Sequence, residues 1–210
     1  AINGRHDCSG KLKQQINWDN EIKDIVWCEV VRNKIYQQYL FLKELNSEQA
    51  ELLAEYINDI KTGDITNREG HAAKVYFNVL FGIKFKRGDN TFINSALNYG
   101  YSLILSAFNR EITIQGYSTQ LGIAHKNEFN SFNLSCDLME PFRIIVDRFV
   151  YCNEDQFTTD YKHNMINILN RQVKINGKMF SLIDAIAIYC RSIFDALENK
   201  RCENIKFYEL

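Results

Sequence analysis

The sequence predicts an all-α fold: a multi-helix domain with at most a small β-hairpin. The chain has one proline and ten glycines among 210 residues, and so few helix breakers favour long helices over a turn-rich β-sandwich. Apolar residues recur every three or four positions in most of the chain, which is the spacing of a helix that buries one face. Hydrophobic residues make up 46% and charged residues 24% of the chain, a balance typical of a globular protein.

Capping residues and glycines predict where the individual helices begin and end. The first helix is expected to start at Asp19 or Asn20, and the fourth is expected to be capped by Asp89 or Asn90. The expected helices, in chain order, are 20–45, 47–62, 66–81, 90–114, 134–150, a shorter one around 165–169, and 182–197.

Two local features break this helical pattern. Pro141 lies inside the stretch 134–150, so this helix either starts nearer Leu138 or is kinked, because proline removes a backbone hydrogen bond. The segment VKINGKMF is expected to form the hairpin, with Asn176 and Gly177 in a type I′ turn.

Charge and cysteine usage limit the classes of function. The formal net charge is −1, so any contact with nucleic acid must rest on local basic patches. The six cysteines include no CxxC pair, which argues against a structural zinc site and indicates reduced thiols in the cytosol. No apolar run approaches the ~18 residues of a membrane-spanning helix, so no membrane association is expected.

The segment from 122 to 150 carries residues that predict a chemical role. His125 lies in a polar, glycine-flanked part, and Asp137 and Glu140 follow at positions i and i+3, which are neighbours on a helix surface. Two carboxylates and one imidazole suit Mg²⁺ or Mn²⁺ better than they suit structural zinc. The alternative is that the acidic stripe of this helix, which also contains Asp147, is a solvated face without a ligand role.

Glu69 is a further candidate ligand, and its position has two interpretations. Thr66 and Glu69 have the T-x-x-E spacing of a capping box, in which the glutamate reaches back to the backbone of the cap. However, Glu69 steps by three and four residues to Ala73 and onward to Leu80, so it lies on the side that the apolar residues bury. A carboxylate there needs a cation, a set of hydrogen-bond donors or a proton.

Basic residues surround Phe85 in the segment IKFKRGDN. Lys84, Lys86 and Arg87 are candidate DNA-binding residues, because basic side chains interleaved with an aromatic ring can follow a phosphate backbone. A solvated loop is the alternative. Arg143, beside the acidic residues of the central segment, is a further candidate for DNA contact.

The phrases NREGHAAKVYF, LGIAH and SCDLMEPFR, with the spacing of Glu69, His125 and Glu140, resemble the CRISPR-associated integrase, the endonuclease of spacer acquisition. The resemblance covers most of the chain and is greatest to the branch found in type II systems. It implies that residues 1–18 are a linker from an N-terminal β-rich domain that is missing here. It also implies that residues 19–210 form the helical catalytic domain.

This resemblance implies a reaction, ligands and partners. Glu69, His125 and Glu140 are expected to be the catalytic residues and the ligands of Mg²⁺ or Mn²⁺, with Asp137 as an auxiliary ligand that binds directly or through water. Many family members have aspartate where Glu140 stands. The implied reaction is transesterification, in which a 3′-hydroxyl of captured DNA attacks a phosphodiester of the CRISPR repeat, and a nuclease activity uses the same site. The implied partners are double-stranded DNA, a second copy of the chain in a homodimer, and a small dimeric acquisition protein, all in a prokaryotic cytoplasm.

Two alternatives stay open at this point. One is a catalytically silent helical interaction module of a DNA-binding complex, in which Glu69 only caps a helix and the acidic stripe is solvated. The other is a metal phosphohydrolase that uses the doublet His6-Asp7, although no second doublet follows it. Metal titration separates the first alternative from an enzyme, and replacement of His6 separates the second.

Overall fold

The computed structural model of the chain describes residues 8–153 and 158–210. Within these ranges the protein is helical with one short hairpin, which confirms the predicted fold class; the His6-Asp7 doublet lies outside the described residues. The helices are α1 (Cys8–Ile16), α2 (Asn20–Glu44), α3 (Ala50–Asn58), α4 (Arg68–Phe81), α5 (Phe92–Ile114), α6 (Asn133–Leu138), α7 (Arg143–Cys152), α8 (Thr159–Ile166) and α9 (Leu182–Asn199). Short 3₁₀ turns cover Thr62–Asp64, Glu140–Phe142, Asn167–Asn170 and Cys202–Asn204.

Helix α2 is the central element, and α3, α4, α7 and α9 pack against it. Because other elements surround it, its apolar residues are buried on more than one side. Those without any solvent exposure are Val26, Val30, Val31, Ile35 and Leu42. The helix also carries buried polar residues, namely Lys34, Gln37 and Gln38. It therefore brings polar groups into the interior of the domain.

The central segment is broken at Pro141. Helix α6 ends at Leu138, a 3₁₀ turn follows with Pro141 near its start, and α7 begins at Arg143. The kinked alternative is therefore confirmed, since proline cannot donate the backbone hydrogen bond that would continue α6. The kink sets the direction of the Glu140 side chain, which comes from the turn rather than from a regular helix.

Helices α5 and α7 approach each other closely at Gly100. A Cβ atom at this position would overlap with a methyl group of Val146 and lie 2.9 Å from Sδ of Met165. The absence of a side chain on Gly100 thus allows the contact. It brings Asp147 of α7 next to Tyr101 of α5, whose hydroxyl donates a hydrogen bond to the Asp147 carboxylate.

The hairpin consists of β1 (Gln172–Ile175) and β2 (Lys178–Ser181), which pair antiparallel. Asn176 and Gly177 have φ angles of 49° and 79°, the positive values that a type I′ turn requires, so the predicted turn is confirmed. The register pairs Gln172 with Ser181, Val173 with Phe180, Lys174 with Met179 and Ile175 with Lys178.

The last residues of the chain pack back onto the domain. The buried Tyr208 donates a hydrogen bond of 2.8 Å from its hydroxyl to the carbonyl oxygen of Pro141, and its own carbonyl accepts one of 3.1 Å from Nε2 of Gln37. Glu209 and Lys174 exchange two backbone hydrogen bonds of 2.9 and 2.8 Å. The tail thus supports the turn that follows α6.

Several boundaries differ from the prediction. Thr91 is the cap of α5, because its hydroxyl accepts a hydrogen bond from the backbone N–H of Asn94, so neither Asp89 nor Asn90 has this role. Helix α3 ends at Asn58, earlier than expected.

Part of the stretch predicted to be a linker is helical, as α1 shows. Its buried Gln15 accepts a hydrogen bond of 2.8 Å from the backbone N–H of Ser118 and donates to the carbonyls of Ser118 and Leu121 at 2.8 and 2.9 Å. After α1, Trp18 packs against Tyr117 and Phe194. These contacts join segments distant in sequence, so the local pattern gave no sign of them.

Two further features of the described residues concern membrane-spanning helices and the cysteines. In residues 8–153 and 158–210 no helix is long and apolar enough to cross a membrane. Five cysteines are free thiols, namely Cys28, Cys136, Cys152, Cys190 and Cys202.

Candidate metal-binding active site

Glu69 lies in the first turn of α4, but it is not a capping residue. The cap is Asn67, whose side chain accepts a hydrogen bond from the backbone N–H of Gly70. The backbone N–H of Glu69 donates to the buried carboxylate of Asp64 at 3.0 Å. The capping-box interpretation with Thr66 is therefore wrong, because other side chains already satisfy the free N–H groups of the first turn.

The carboxylates of Glu69 and Glu140 converge on one ammonium group. Nζ of Lys34 on α2 lies 2.5 Å from Oε1 of Glu69 and 2.5 Å from Oε2 of Glu140. Lys34 and Glu140 are 8% and 4% exposed, and the side chain of Glu69 is 26% exposed. Burial lowers the pKa of Lys34, but the two carboxylates outweigh it and raise the pKa above the ordinary value. Both acidic groups thus meet a single positive charge at one point.

Arg143 holds the second oxygen of Glu140. Its Nε donates to Oε1 of Glu140 at 2.9 Å, and its guanidinium lies over the ring of Tyr101, 4.6 Å from the centroid. Burial acts to raise the pKa of Glu140, yet the charges of Arg143 and Lys34 outweigh it and hold the pKa below its usual range. Glu140 is therefore ionised, with both oxygens fixed.

Asp137 organises the loop that carries His125. Its fully buried carboxylate accepts hydrogen bonds from the backbone N–H groups of Ile123, Ala124 and His125 at 2.6, 3.0 and 3.1 Å. It also accepts one from Nδ1 of the His125 ring. Gly122 is required here, since a Cβ atom would lie 2.7 Å from Oδ2 of Asp137. With Nδ1 engaged, Nε2 is the ring nitrogen that remains for a ligand.

His125 is also within electrostatic reach of the two carboxylates. The hydrogen bond to Asp137 raises the pKa of His125 most, burial opposes it, and the charges of Glu140 and Glu69 raise it further. The negative charges of both glutamates thus favour the protonated imidazole. The ring is 46% exposed and lines a separate cavity of about 550 Å³ together with Lys23 and other polar residues.

A cavity of about 200 Å³ lies at the meeting point of α2, α4, α5 and α7. Lys34, Glu69 and Glu140 line it, and Asp147 adds a third carboxylate. Burial raises the pKa of Asp147 to about 6, although the hydrogen bond from Tyr101 opposes the rise. The cavity thus combines three acidic groups with a small number of buried cations.

Comparison with known proteins decides the family. A family model described as "CRISPR associated protein Cas1" matches residues 11–173, which is well over half of the chain. The chain belongs to the Cas1 family. This confirms the resemblance drawn from the motifs, while the assignment to the type II branch stays a prediction.

Curated Cas1 relatives match over different lengths. "CRISPR-associated endonuclease Cas1" of Neisseria meningitidis serogroup C is 34% identical over 206 residues, which cover 95% of this chain and 68% of the relative. A relative from Francisella tularensis subsp. novicida is 31% identical over 156 residues, and one from Thermodesulfovibrio yellowstonii is 30% identical over 147. These two matches cover 64% and 59% of this chain but only 49% and 46% of the relatives, so the chain spans about half of their length.

Solved structures share the fold at lower identity. A casposase bound to integration product superposes with a TM-score of 0.73 at 23% identity, over 92% of this chain and 70% of that chain. A Cas1 protein from Thermotoga maritima gives 0.70 at 18%, over 90% and 68%. A Cas6-RT-Cas1–Cas2 complex gives 0.78 at 17%, over 98% and 27%. At these identities the comparison establishes the fold.

In this Cas1 chain, the predicted ligands come together only in part. Glu69 and Glu140 share one counter-ion, whereas the ring of His125 is oriented by Asp137 and lines a different cavity. Among the described residues, no group of three His, Cys, Asp or Glu side chains is arranged to hold a metal ion. Nζ of Lys34 occupies the point where the two carboxylates meet.

The acidic stripe of the central segment is not a solvated face. Asp137, Glu140 and Asp147 are 0%, 4% and 1% exposed, so that interpretation is wrong. Their side of the segment packs against other helices, which the spacing of the apolar residues could not reveal.

The candidate DNA-binding residues separate into two pairs. Lys84 and Lys86 are exposed, as a phosphate-binding patch requires. Arg87 is half-buried and lines the cavity, with its guanidinium nitrogens donating to amide oxygens of Asn94 and Asn98 at 2.5 and 2.7 Å. Arg143 is likewise part of the cavity wall.

Sequence reasoning missed Lys34. A signal for it exists, because Lys34 follows Val26 and Val30 at four-residue steps on the apolar side of α2 and Gln38 comes next. Two polar residues on a stripe that should be buried indicate a buried polar site. Its acidic partners, however, lie on α4 and on the turn before α7.

Proposed function

We propose that this Cas1 chain carries the active site of a divalent-metal-dependent DNA endonuclease and integrase that inserts short captured DNA into a CRISPR repeat by transesterification. The observation that carries the proposal is the convergence of Glu69 and Glu140 on one positive charge. The charges of both glutamates also act to raise the pKa of His125. The names of its similar proteins, CRISPR-associated endonucleases and a casposase bound to integration product, support this class of reaction.

The donor atoms of Glu69, Glu140 and His125 are of the kinds that Mg²⁺ or Mn²⁺ binds. Glu69 and Glu140 already share a cation, and Nε2 of His125 is free of the Asp137 hydrogen bond. Oxygen ligands with one imidazole suit such ions. When bound, the ion would polarise the scissile phosphodiester and stabilise the leaving oxygen.

Asp137 has a different role from the auxiliary ligand expected from the sequence. Its two oxygens accept four hydrogen bonds from the loop at 123–125, which leaves it poorly placed to bind an ion. We assign it the orientation of His125, because a carboxylate on Nδ1 fixes both the tautomer and the direction of Nε2.

Positive side chains in the cavity wall would orient the DNA. Two arginines, Arg87 and Arg143, line the cavity that holds Glu69 and Glu140. Guanidinium groups bind phosphate through two parallel N–H donors, so they hold a phosphodiester in one orientation. Outside the cavity, Lys84 and Lys86 supply charge for the phosphate backbone of the duplex.

The proposal includes three partners. They are double-stranded DNA, comprising the captured fragment and the CRISPR repeat, a second copy of the chain in a homodimer, and a small dimeric acquisition protein. A similar fold in a Cas6-RT-Cas1–Cas2 complex supports the last of these. A prokaryotic cytoplasm is the expected location.

Replacement of Glu69 tests the proposal. Glu69→Gln should reduce Mn²⁺-dependent DNA cleavage by at least ~100-fold, since it removes one of two carboxylate ligands. The melting temperature of this variant in EDTA should change little, because Lys34 keeps its ion pair with Glu140. Glu48→Gln is the matched control, an exposed glutamate on another segment. Cleavage by the Glu69→Gln variant at the wild-type rate would overturn the proposal.

The silent interaction module is the second candidate. It is favoured by one observation, that Lys34 already neutralises the two carboxylates without any ion. Calorimetric titration of the wild-type chain with Mn²⁺ separates the two: the enzyme predicts one saturable site, and the module predicts no specific heat.

A further inference from the structure

We propose that Lys34 is an internal counter-ion that holds Glu69 and Glu140 together in the absence of metal and moves to Gln38 when a divalent ion binds. This inference rests on the proposed function, because it concerns the same site. Lys34 is a positioning residue: it acts through the two carboxylates and sets the affinity of the site for metal.

The site needs a cation at all times. Oε1 of Glu69 and Oε2 of Glu140 lie within hydrogen-bond distance of the same nitrogen, and Glu140 is almost inaccessible to water. Two carboxylates this close repel each other unless a positive charge lies between them. Lys34 provides that charge from α2, so the acidic groups keep their positions before any ion arrives.

The ammonium group and a divalent ion cannot occupy the site together. An ion held by both Glu69 and Glu140 would take a position close to that of Lys34 Nζ, because one oxygen of each carboxylate already lies against that nitrogen. Two positive charges at that separation repel strongly in a buried environment. Metal binding by Glu69 and Glu140 therefore requires Lys34 to leave.

Gln38 provides the second position for the ammonium group. It lies one helical turn after Lys34 on α2, so the two side chains are neighbours on the same face, and both line the 200 Å³ cavity. Gln38 is 3% exposed, and its Oε1 has no hydrogen-bond partner among the described residues. Buried carbonyl oxygens are normally paired. The long, flexible stem of lysine allows the ammonium group to reach this acceptor.

If Lys34 is an internal counter-ion, its loss should increase the affinity of the site for metal. Because the metal must displace the internal cation, removal of the lysine charge should make the site bind metal more tightly. It should also destabilise the metal-free protein, since Glu69 and Glu140 lose their counter-ion. A purely structural lysine predicts the opposite effect on binding, because its loss would loosen the site and weaken it.

Calorimetric titration with Mn²⁺ tests this on the wild-type chain, on Lys34→Met and on Lys43→Met. Lys43 is the matched control, an exposed lysine on the same helix that pairs with Glu51 at 3.0 Å. The expected result is a Kd at least ~10-fold lower for Lys34→Met, the size of effect that one nearby unit charge has on a binding equilibrium, and an unchanged Kd for Lys43→Met. The rise in melting temperature on Mn²⁺ addition should also be larger in Lys34→Met than in the wild type.

The outcomes distinguish this inference from the proposed function. If the wild type binds Mn²⁺ and a folded Lys34→Met binds equally well or more weakly, the counter-ion role is overturned and the metal site stands. If neither protein binds Mn²⁺, the metal site fails and the inference fails with it. If Lys34→Met does not fold, Lys34→Gln replaces it, because its amide can still donate hydrogen bonds to both carboxylates while lacking the charge; the same gain in affinity is expected.

Replacement of Gln38 tests the second position. Gln38→Met should weaken Mn²⁺ binding several-fold when Lys34 is present, because the displaced ammonium group loses its acceptor. In the Lys34→Met background the same replacement should have no effect, and the double-mutant cycle measures this difference. An equal effect in both backgrounds would overturn the movement to Gln38.

Discussion

The carboxylate half and the imidazole half of the candidate site are built in different ways. Glu69 comes from α4 and Glu140 from the turn before α7. Lys34 forms ion pairs with both glutamates, and Arg143 forms one with Glu140. His125 comes from a loop that is held by buried Asp137 through three backbone N–H groups and the ring. The carboxylate half is held by ion pairs between side chains of different elements. In the imidazole half, the single carboxylate of Asp137 both holds the loop and orients the His125 ring.

This difference separates effects on binding from effects on folding. In the carboxylate half, one cation can replace another without a change in backbone, so substitutions there should alter metal affinity. In the imidazole half, the Asp137 carboxylate accepts hydrogen bonds from both the His125 ring and the backbone. Loss of this carboxylate should therefore lower the stability of the protein first. Substitutions in the two halves should therefore separate effects on metal affinity from effects on stability.

Asp137→Ala should be the most destabilising change. It leaves three backbone N–H groups and a histidine ring without their acceptor, and each buried unpaired group costs ~1–3 kcal/mol, so we expect a loss of about 3–6 kcal/mol in the free energy of unfolding. Urea denaturation of the metal-free protein measures it. Asp195→Asn, at an exposed position that accepts a hydrogen bond from Asn199, is the control and should stay within ~0.5 kcal/mol of the wild type. A loss below ~1 kcal/mol in Asp137→Ala would contradict the assigned role of this carboxylate.

Asp147→Asn should change the pH dependence of stability. Burial raises the pKa of Asp147 from 3.8 to about 6, so between these values the folded state binds the proton and the unfolded state does not. The stability of the wild type therefore falls as pH rises from about 4 to about 6. The Asn variant lacks this loss, and its stability relative to the wild type should be greater at pH 7 than at pH 4 by roughly 2–3 kcal/mol.

Urea denaturation at both pH values measures that difference. A difference between Asp147→Asn and wild type that does not vary with pH would mean that the third carboxylate of the cavity is not strongly desolvated. The carboxylate half would then be more open to water than the structure indicates.

The smallest expected effect on stability is that of the exposed basic patch. The double substitution Lys84→Ala and Lys86→Ala should leave the free energy of unfolding within ~0.5 kcal/mol, because neither side chain is part of the cavity. It should weaken DNA binding similarly for all sequences and lower the slope of log K against log salt by at most ~2. Lys178→Ala on the hairpin is the control, and an unchanged slope in the double variant would remove this loop from the DNA interface.

The sequence was sufficient where local rules decide the structure. Pro141 marked the break between α6 and α7, and Asn176-Gly177 marked the hairpin turn. Glu69 was correctly placed on an inward-facing side of its helix, and the structure brings it to Glu140 through Lys34. In each case, the geometry follows from backbone limits or helical periodicity within one segment.

The features that the sequence did not predict depend on contacts between segments that are distant in the chain. Lys34 is 35 residues from Glu69 and 106 from Glu140 in the chain, so no local pattern could pair them. The burial of Asp137 and Asp147 was missed for the same reason, since periodicity describes one helix and not the neighbours that cover its polar side. Helix α1 escaped prediction because its order comes from the hydrogen bonds of Gln15 to a loop about a hundred positions later.

The central claim is that Glu69, His125 and Glu140 hold one divalent ion. Diffraction from crystals grown with Mn²⁺, with anomalous data collected near the manganese edge, tests it directly. We expect one strong peak within ~2.5 Å of a carboxylate oxygen of each glutamate and of Nε2 of His125, with Nζ of Lys34 moved to Oε1 of Gln38. A peak elsewhere, or Lys34 still between the two glutamates at saturating Mn²⁺, would contradict it.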